Sequence, residues 1–241
     1  MKNIFKNILN LLLPPRCCHC GKTVLSEHTL CEKCFNQINF ISAPYCKLCG
    51  MPFENEKDAN LNLVCAACAS KKKVTRMDRS AMFYDDFSKK LILDFKFYGR
   101  TQNAQILTKW LYAAGADIFL EGVDLIMPVP LSYRRLLRRG YNQSAILARL
   151  LAKQTGVKVD VLNLKKTKHT PPQSLLAGNA RLKNVKNAFR LQKEDKVRGK
   201  RVVLVDDVLT TGATLNECAA VLKKAGALSV DTLTIARVKK E

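Results

Sequence analysis

Two groups of residues in this 241-residue chain have the types and spacing to do chemistry. The first is Asp206 and Asp207, adjacent carboxylates that follow the apolar run Val202, Val203, Leu204, Val205 and precede Thr210, Thr211, Gly212, Ala213 and Thr214. This pattern predicts a strand that delivers two acids to its carboxyl end and then turns into a helix. Backbone N–H groups at such a turn point outward, and the helix dipole adds positive partial charge, so the turn suits a phosphate group. Gly212 lets the backbone approach closely, and the threonine hydroxyls add donors. Ionised carboxylates only accept hydrogen bonds and repel phosphate, so the acids suit neighbouring hydroxyls instead. A sugar phosphate satisfies both halves at once, with its phosphate in the loop and its ring hydroxyls on the aspartates. If the ring then loses an anionic leaving group, positive charge develops at its anomeric carbon, and Asp206 and Asp207 are placed to stabilise it. These two are the candidate catalytic residues. A dinucleotide fingerprint and a Walker loop are both absent from the sequence.

The second group is eight cysteines in four Cys-x-x-Cys pairs: Cys17/Cys20, Cys31/Cys34, Cys46/Cys49 and Cys65/Cys68. One such pair presents two thiolates from a tight turn, and two turns complete a tetrahedral shell around zinc. Gly21 and Gly50 follow the second cysteine of their pairs, where a zinc knuckle needs permissive backbone. Two zinc ions are expected, one held by Cys17, Cys20, Cys31 and Cys34, the other by Cys46, Cys49, Cys65 and Cys68. With every coordination position filled by thiolate, both are structural. Cys18, His19 and His28 stand near enough in sequence to replace a ligand. A disulfide framework suits exported chains, and the N-terminal "MKNIFKNILNLLLPPRCC" lacks a signal cleavage site. Cys218 reads as a small buried hydrophobe.

Positioning these groups requires a frame of alternating strands and helices. Strands are expected over 80–86, 123–130, 157–162, 201–206 and 229–236, with helices over 87–99, 102–120, 141–156 and 212–225. That alternation implies a mostly parallel α/β sheet flanked by helices. Lys71, Lys72 and Lys73 mark a polar linker. The expected division is therefore residues 1–75, an N-terminal helix ended by Pro14 and Pro15 plus a double zinc ribbon, and residues 76–241, the α/β domain. Lys plus Arg number 41 against 20 Asp plus Glu, a net charge of +21. Residues 121–201 hold 19 basic and 5 acidic residues, so +14 of that excess lies just before the aspartate loop. Such a field draws phosphates or nucleic acid, and it also serves solubility. No segment is long and apolar enough to span a bilayer, so a cytoplasmic chain without stable membrane insertion is expected.

"KRVVLVDDVLTTGATL" resembles the phosphoribosyl pyrophosphate (PRPP) loop of type I phosphoribosyltransferases: apolar strand, two acids, then Thr-Thr-Gly-x-Thr. "PVPLSYRRLLRRGYNQS" is similar to a segment that ComF-family proteins carry after an earlier strand. "TPPQSLLAGNARLKNVKNAF" resembles their Gln-x-x-Leu…Arg-x-x-Asn…Phe segment, here Gln173, Leu176, Arg181, Asn184 and Phe189. "LLLPPRCCHCG" and the doubled ribbon resemble that family's head. The chain is identified as a member of the ComF (competence protein F) family.

The resemblance implies a type I phosphoribosyltransferase-like fold that binds PRPP with Mg²⁺. By position the PRPP contacts are Asp206, Asp207, Thr210, Thr211, Gly212, Ala213 and Thr214. Val129 and Pro130 would lie on the pyrophosphate side, with Arg138 and Arg139, or Arg134 and Arg135, as bidentate partners. Residues 166–190 would be a mobile loop closing over substrate, with Lys168, His169 and Arg181 towards the diphosphate. The implied role is DNA uptake in natural transformation, with single-stranded DNA or a DNA-uptake helicase as partner. The alternative is a non-enzymatic PRPP sensor acting as a DNA- or helicase-binding adaptor. No nucleobase-recognising hood is identifiable. Phe83, Tyr84, Phe95, Phe97, Tyr98 and Trp110 are stacking candidates that also fit a core.

Overall fold

Four consecutive apolar residues suit a strand covered on both faces, and Val202–Val205 occupy such a place at the centre of the sheet. The computed structural model describes residues 14–53, 63–71, 73–97, 103–167 and 186–239. Its elements run α1 (Glu32–Phe35), α2 (Ala66–Ala69), β1 (Asp78–Phe83), α3 (Asp86–Phe97), α4 (Asn103–Ala114), α5 (Ala116–Leu120) and β2 (Leu125–Pro128). They continue with α6 (Tyr133–Arg139), α7 (Gln143–Thr155), β3 (Leu164–Lys166), β4 (Phe189–Leu191), β5 (Arg201–Leu209), α8 (Ala213–Lys224) and β6 (Ser229–Arg237). The expected N-terminal helix, Tyr98 and residues 168–185 lie outside the described residues.

The main sheet has the order β1-β6-β5-β2 and is parallel throughout. Alternation along β5 divides the core. Val203 and Val205 join Phe95, Leu107, Leu147 and Leu151 on one face, from α3, α4 and α7. Val202 and Leu204 join Leu215, Cys218 and Leu222 of α8, together with Leu164 and Phe189 of β3 and β4, on the other.

Both edges of the sheet are covered, which removes a template for unwanted pairing. On the β1 side, Phe40 bridges Met82 in antiparallel fashion. Ile41 N–H donates to Ala81 O at 3.0 Å, and Phe83 N–H donates to Asn39 O at 2.8 Å. Beyond β2, Ile126 N–H donates to Lys158 O at 2.8 Å, and Ile126 O accepts from Asp160 N–H at 3.0 Å. The cysteine-rich head is therefore part of the sheet's surroundings. Cys18 and Ile38 enter the first core, His19 stacks on Phe87 at 3.9 Å, and Phe40 meets Trp110 edge-on at 5.2 Å.

Several elements differ from the sequence expectation for identifiable reasons. The helix over 102–120 breaks at Gly115, where a Cβ would stand 2.5 Å from Leu233 Cδ2, so the chain turns against β6 there. The strand over 157–162 contracts to a single bridge at Val159. Asp160 ends it by accepting from the N–H groups of Leu162 and Asn163, each at 3.0 Å, in an Asx-type turn. Residues 133–139 carry no element in the sequence reading, yet form α6, closed by Gly140 at φ 77°. The ends of the long polar stretch pair as the antiparallel β3–β4 ribbon rather than as loop.

The second ribbon sits directly on β1. Asp78 N–H donates to Leu48 O at 2.9 Å, and Lys73 Nζ bonds both Leu48 O at 2.7 Å and Asp78 Oδ2 at 2.6 Å. Gly50 has φ +65°, and a Cβ there would lie 2.5 Å from Asp78 O; Gly21, at φ +78°, has nothing within 4 Å. Gly21→Ala should therefore cost only the left-handed backbone penalty, about 1–2 kcal/mol. Gly50→Ala should cost clearly more, because backbone must also shift. Urea denaturation of the two zinc-loaded variants against the unsubstituted protein checks this order.

Candidate functional site

The two cysteine clusters form as the spacing predicts. Within each set, Cys17, Cys20, Cys31, Cys34 and Cys46, Cys49, Cys65, Cys68, the sulfurs all lie within 4.8 Å of one another. Cys20 and Cys31 Sγ are 3.7 Å apart, and Cys49 and Cys65 Sγ 3.8 Å. Zn–S bonds of about 2.3 Å would place tetrahedral sulfurs ~3.8 Å apart, so the donor set fits zinc. The knuckles repeat. Gly21 N–H returns to Cys17 O and Gly50 N–H to Cys46 O, and α1 and α2 both start just after the third cysteine of their set. Burial pushes the Cys17 thiol up, but N–H donors from Cys20, Cys31 and His19 outweigh it and bring it down to about 6. Cys46 falls to about 7 in the same way. The clusters are complete without Cys18 or His19, which pack against the core, and without His28.

Asp206 and Asp207 lie inside β5 rather than at its end, because the strand continues to Leu209 opposite Arg237. Alternation then sends the two carboxylates to opposite faces. Asp207, on the side of Val205, is buried, and its Oδ2 accepts from Gln143 Nε2 at 2.8 Å and pairs with Lys96 Nζ at 2.8 Å. Asp206 is partly buried and accepts from Ser144 Oγ at 3.0 Å. Burial and then the charge of Asp207 push Asp206 up to about 7, against the pull of the Asp207 N–H, Lys96 and Ser144. Gln143 and Ser144 reach the acids because Asn142 caps α7, its side chain accepting from Ser144 N–H at 3.0 Å.

The residues expected to form a phosphate loop follow directly. Gly212 is the left-handed N-cap of α8 at φ 76°, Thr211 Oγ1 accepts from Ala213 N–H at 3.4 Å, and Asn216 N–H donates to Gly212 O at 2.8 Å. Thr210 and Thr214 flank this turn. A Cβ on Gly212 would meet nothing closer than 3.6 Å, so backbone conformation is what calls for glycine there. Val129 is buried, with its N–H bonded to Val205 O at 2.9 Å, and Pro130 leads into α6.

The arginines separate. Arg134 and Arg138 are exposed, whereas Arg139 turns inward, donating to Gln143 Oε1 at 3.1 Å and stacking at 4.6 Å over the exposed Phe97 ring. Phe95 is fully buried and Trp110 packs against the core, so those two are core residues. Burial lowers Arg139, opposed chiefly by the charge of Asp207. Burial and the charges of Arg139 and Arg138 lower Arg135. Lys166 drops to about 8 through burial and the charge of Arg135, held up by Cys218 and Asp206. Lys96, Gln143, Ser144 and Lys166 are the site residues that sequence reasoning missed. Gln143 and Ser144 sit in the quoted "RRGYNQS", whereas Lys96 belongs to no motif. Lys168, His169 and Arg181 lie outside the described residues.

Comparison with known proteins bears on the whole chain. A double zinc ribbon model matches residues 8–73, and a phosphoribosyl transferase domain model matches residues 136–241. Competence protein F of Haemophilus influenzae is 35% identical over 234 residues, 92% of this chain and 96% of the relative. The chain belongs to the ComF family. DNA utilization protein YhgH of Salmonella typhimurium is 33% identical over 94% of this ComF-family chain and 99% of the relative. Competence protein ComFC of Bacillus subtilis is 27% identical over 88% and 85%. Among solved structures, the allosteric regulatory enzyme of purine biosynthesis overlays 59% of this chain and 30% of its own, at 21% identity and a TM-score of 0.40. Among the described residues, no helix is long and apolar enough to cross a membrane.

The raised carboxyl of Asp206 gives the ComF-family site a pH signature. Between about pH 4 and 7 the folded chain holds a proton that the unfolded chain has released. This group's contribution to stability therefore falls as pH rises through that window. Asp206→Asn removes the buried charge, so its melting temperature should exceed that of the unsubstituted protein at pH 8. The gap should close as pH falls towards 4. Thermal denaturation across that range checks it.

Proposed function

We propose that this ComF-family protein binds PRPP together with Mg²⁺ in the cytoplasm and serves DNA uptake. The work would be divided between a structural zinc head, residues 1–75, and a ligand-binding domain, residues 76–241. The observation that carries the reading is a surplus of desolvated cation around two carboxylates at the phosphate turn. Arg135, Arg139 and Lys166 are each held below their ordinary values by burial. Such groups gain when a polyanion arrives. Among the described residues, two buried polar atoms on the pyrophosphate side, Ser132 Oγ and Arg139 Nε, have no hydrogen-bond partner, which also suits an incoming diphosphate.

The phosphate of the sugar takes the N–H groups and hydroxyls of 210–214, and the ring hydroxyls take Asp206 and Asp207. Val129 and Pro130 with Arg139 line the diphosphate, and Arg138 stands at the rim. Mg²⁺, when bound with PRPP, neutralises the diphosphate and eases its departure. If transfer occurs, Asp206 and Asp207 stabilise the ribosyl cation electrostatically.

A second reading, a PRPP-responsive adaptor for single-stranded DNA or a helicase, is favoured by α6. No residue of α6 is buried, and Tyr133 and Leu137 are exposed beside Arg134 and Arg138. No acidic residue occurs between Asp124 and Asp160. Basic residues interleaved with an aromatic suit sequence-independent binding of single strands. The relatives named for competence and DNA utilization fit either reading. Pyrophosphate release on addition of an acceptor separates the enzyme from the adaptor.

Two outcomes are expected. Gly212→Val forces a branched side chain into left-handed backbone at the phosphate turn, and should abolish calorimetric binding of PRPP and ribose 5-phosphate alike. Unchanged affinity in the folded variant removes the proposal. Separately, filter binding of single-stranded DNA should weaken steeply with salt, and Arg134→Ala with Arg138→Ala should flatten the salt slope by about one to two units.

A further inference from the structure

Lys96 is the residue at this site whose placement the chemistry above leaves unexplained. It sits in the last turn of α3, outside the segment matched by the phosphoribosyl transferase domain model. Its Nζ lies 2.8 Å from Asp207 Oδ2, with side-chain exposures of 18% and 9% for the two partners. The same oxygen already accepts from Gln143 at 2.8 Å, so Asp207 does not rely on Lys96 alone for a hydrogen-bond partner. An ammonium in direct contact cancels the carboxylate's charge. While that pair stands, Asp207 can do little for a developing ribosyl cation.

We propose that Lys96 is a diphosphate-binding residue that changes partners, leaving Asp207 for the diphosphate of PRPP when the ligand binds. The inference rests on reading the site as a PRPP site. Lys96 and Arg139 converge on one carboxylate, Lys96 directly and Arg139 through Gln143 Oε1 at 3.1 Å. Both therefore stand at the start of α7, whose cap residue Asn142 donates from Nδ2 to the Val129 carbonyl at 3.1 Å, and the chain from Val129 leads on to the buried Ser132 hydroxyl. A diphosphate carries several negative charges against the single one of Asp207, so it outcompetes the carboxylate for a nearby ammonium.

The residue type fits this task. Lysine is a point charge on a flexible four-carbon stem, and its Nζ swings several ångströms without backbone movement, which the planar fork of arginine does less readily. No proton is transferred, and the ammonium only changes partner. The change uncovers Asp207 when the leaving group is in place and leaves it neutralised otherwise. Gln143, anchored by the α7 cap, keeps the uncovered carboxylate oriented.

The test compares two ligands on the full zinc-loaded chain. Lys96→Gln retains an amide donor for Asp207 but not the charge. Calorimetry should show PRPP affinity, with Mg²⁺, falling ~10- to 100-fold. Ribose 5-phosphate, which lacks the diphosphate, should keep its affinity within about twofold. Equal loss of both ligands shows that Lys96 merely positions Asp207 and overturns the proposal, as does unchanged PRPP affinity. A crystal structure of the unsubstituted protein with PRPP decides independently of how the variant folds. Lys96 Nζ within hydrogen-bond distance of a diphosphate oxygen supports the proposal, and Nζ still on Asp207 and clear of the diphosphate overturns it. Absence of PRPP binding by the unsubstituted protein would instead remove the proposed function itself.

Discussion

The site depends on one constraint, which is that adjacent residues of a strand point to opposite faces. Because β5 is covered on both sides, two consecutive carboxylates leave the strand on different faces and each needs its own donor, which neighbouring residues at the start of α7 supply. Asp207 finds Gln143 and Lys96 on the helical face. Asp206 finds the Ser144 hydroxyl and feels the charge of Lys166 from the ribbon side. Lys96 of α3, Gln143 and Ser144 of α7 and Lys166 of the β3–β4 ribbon thus serve two carboxylates between them. Burying carboxylates is costly unless they are paired or hydrogen-bonded, and the whole upper end of the domain is arranged around meeting that demand.

The same constraint explains the cationic crowding. Arg135, Arg139 and Lys166 hold their charges in partly desolvated positions, each lowered chiefly by burial. A protein selected for stability alone would replace such groups with apolar ones. Their retention fits a surface shaped for a ligand that brings its own negative charge.

Much of this was legible beforehand, and the limits have physical causes. The cysteine pairs were readable because a metal shell demands fixed local spacing, and Gly21 and Gly50 confirmed the knuckle through their backbone freedom. The turn from Thr210 to Thr214 was readable because a strand, a glycine at positive φ and a helix start are all local events. Lys96 was not, because its partner is more than a hundred positions away and an ammonium on a helix carries no sequence mark of what it meets. The strand over 157–162 was misjudged in extent because Asp160, an ordinary polar residue in the pattern, folds its carboxylate back onto two N–H groups. The break at Gly115 needed knowledge of Leu233, which lies on a strand met only in three dimensions.

The antiparallel contact of residues 39–41 with β1 has a consequence for how the chain is made. In the sheet, β1 pairs with β6, which comes about 150 residues later. A ribosome therefore delivers β1 long before its permanent neighbour exists. During that interval an exposed apolar strand would be sticky, and pairing between distant segments is slow in any case. The zinc knuckles emerge first and close locally, so Asn39, Phe40 and Ile41 are in place to hold β1 as it appears. Metal loaded early would let these contacts keep one side of the strand occupied until synthesis supplies the other.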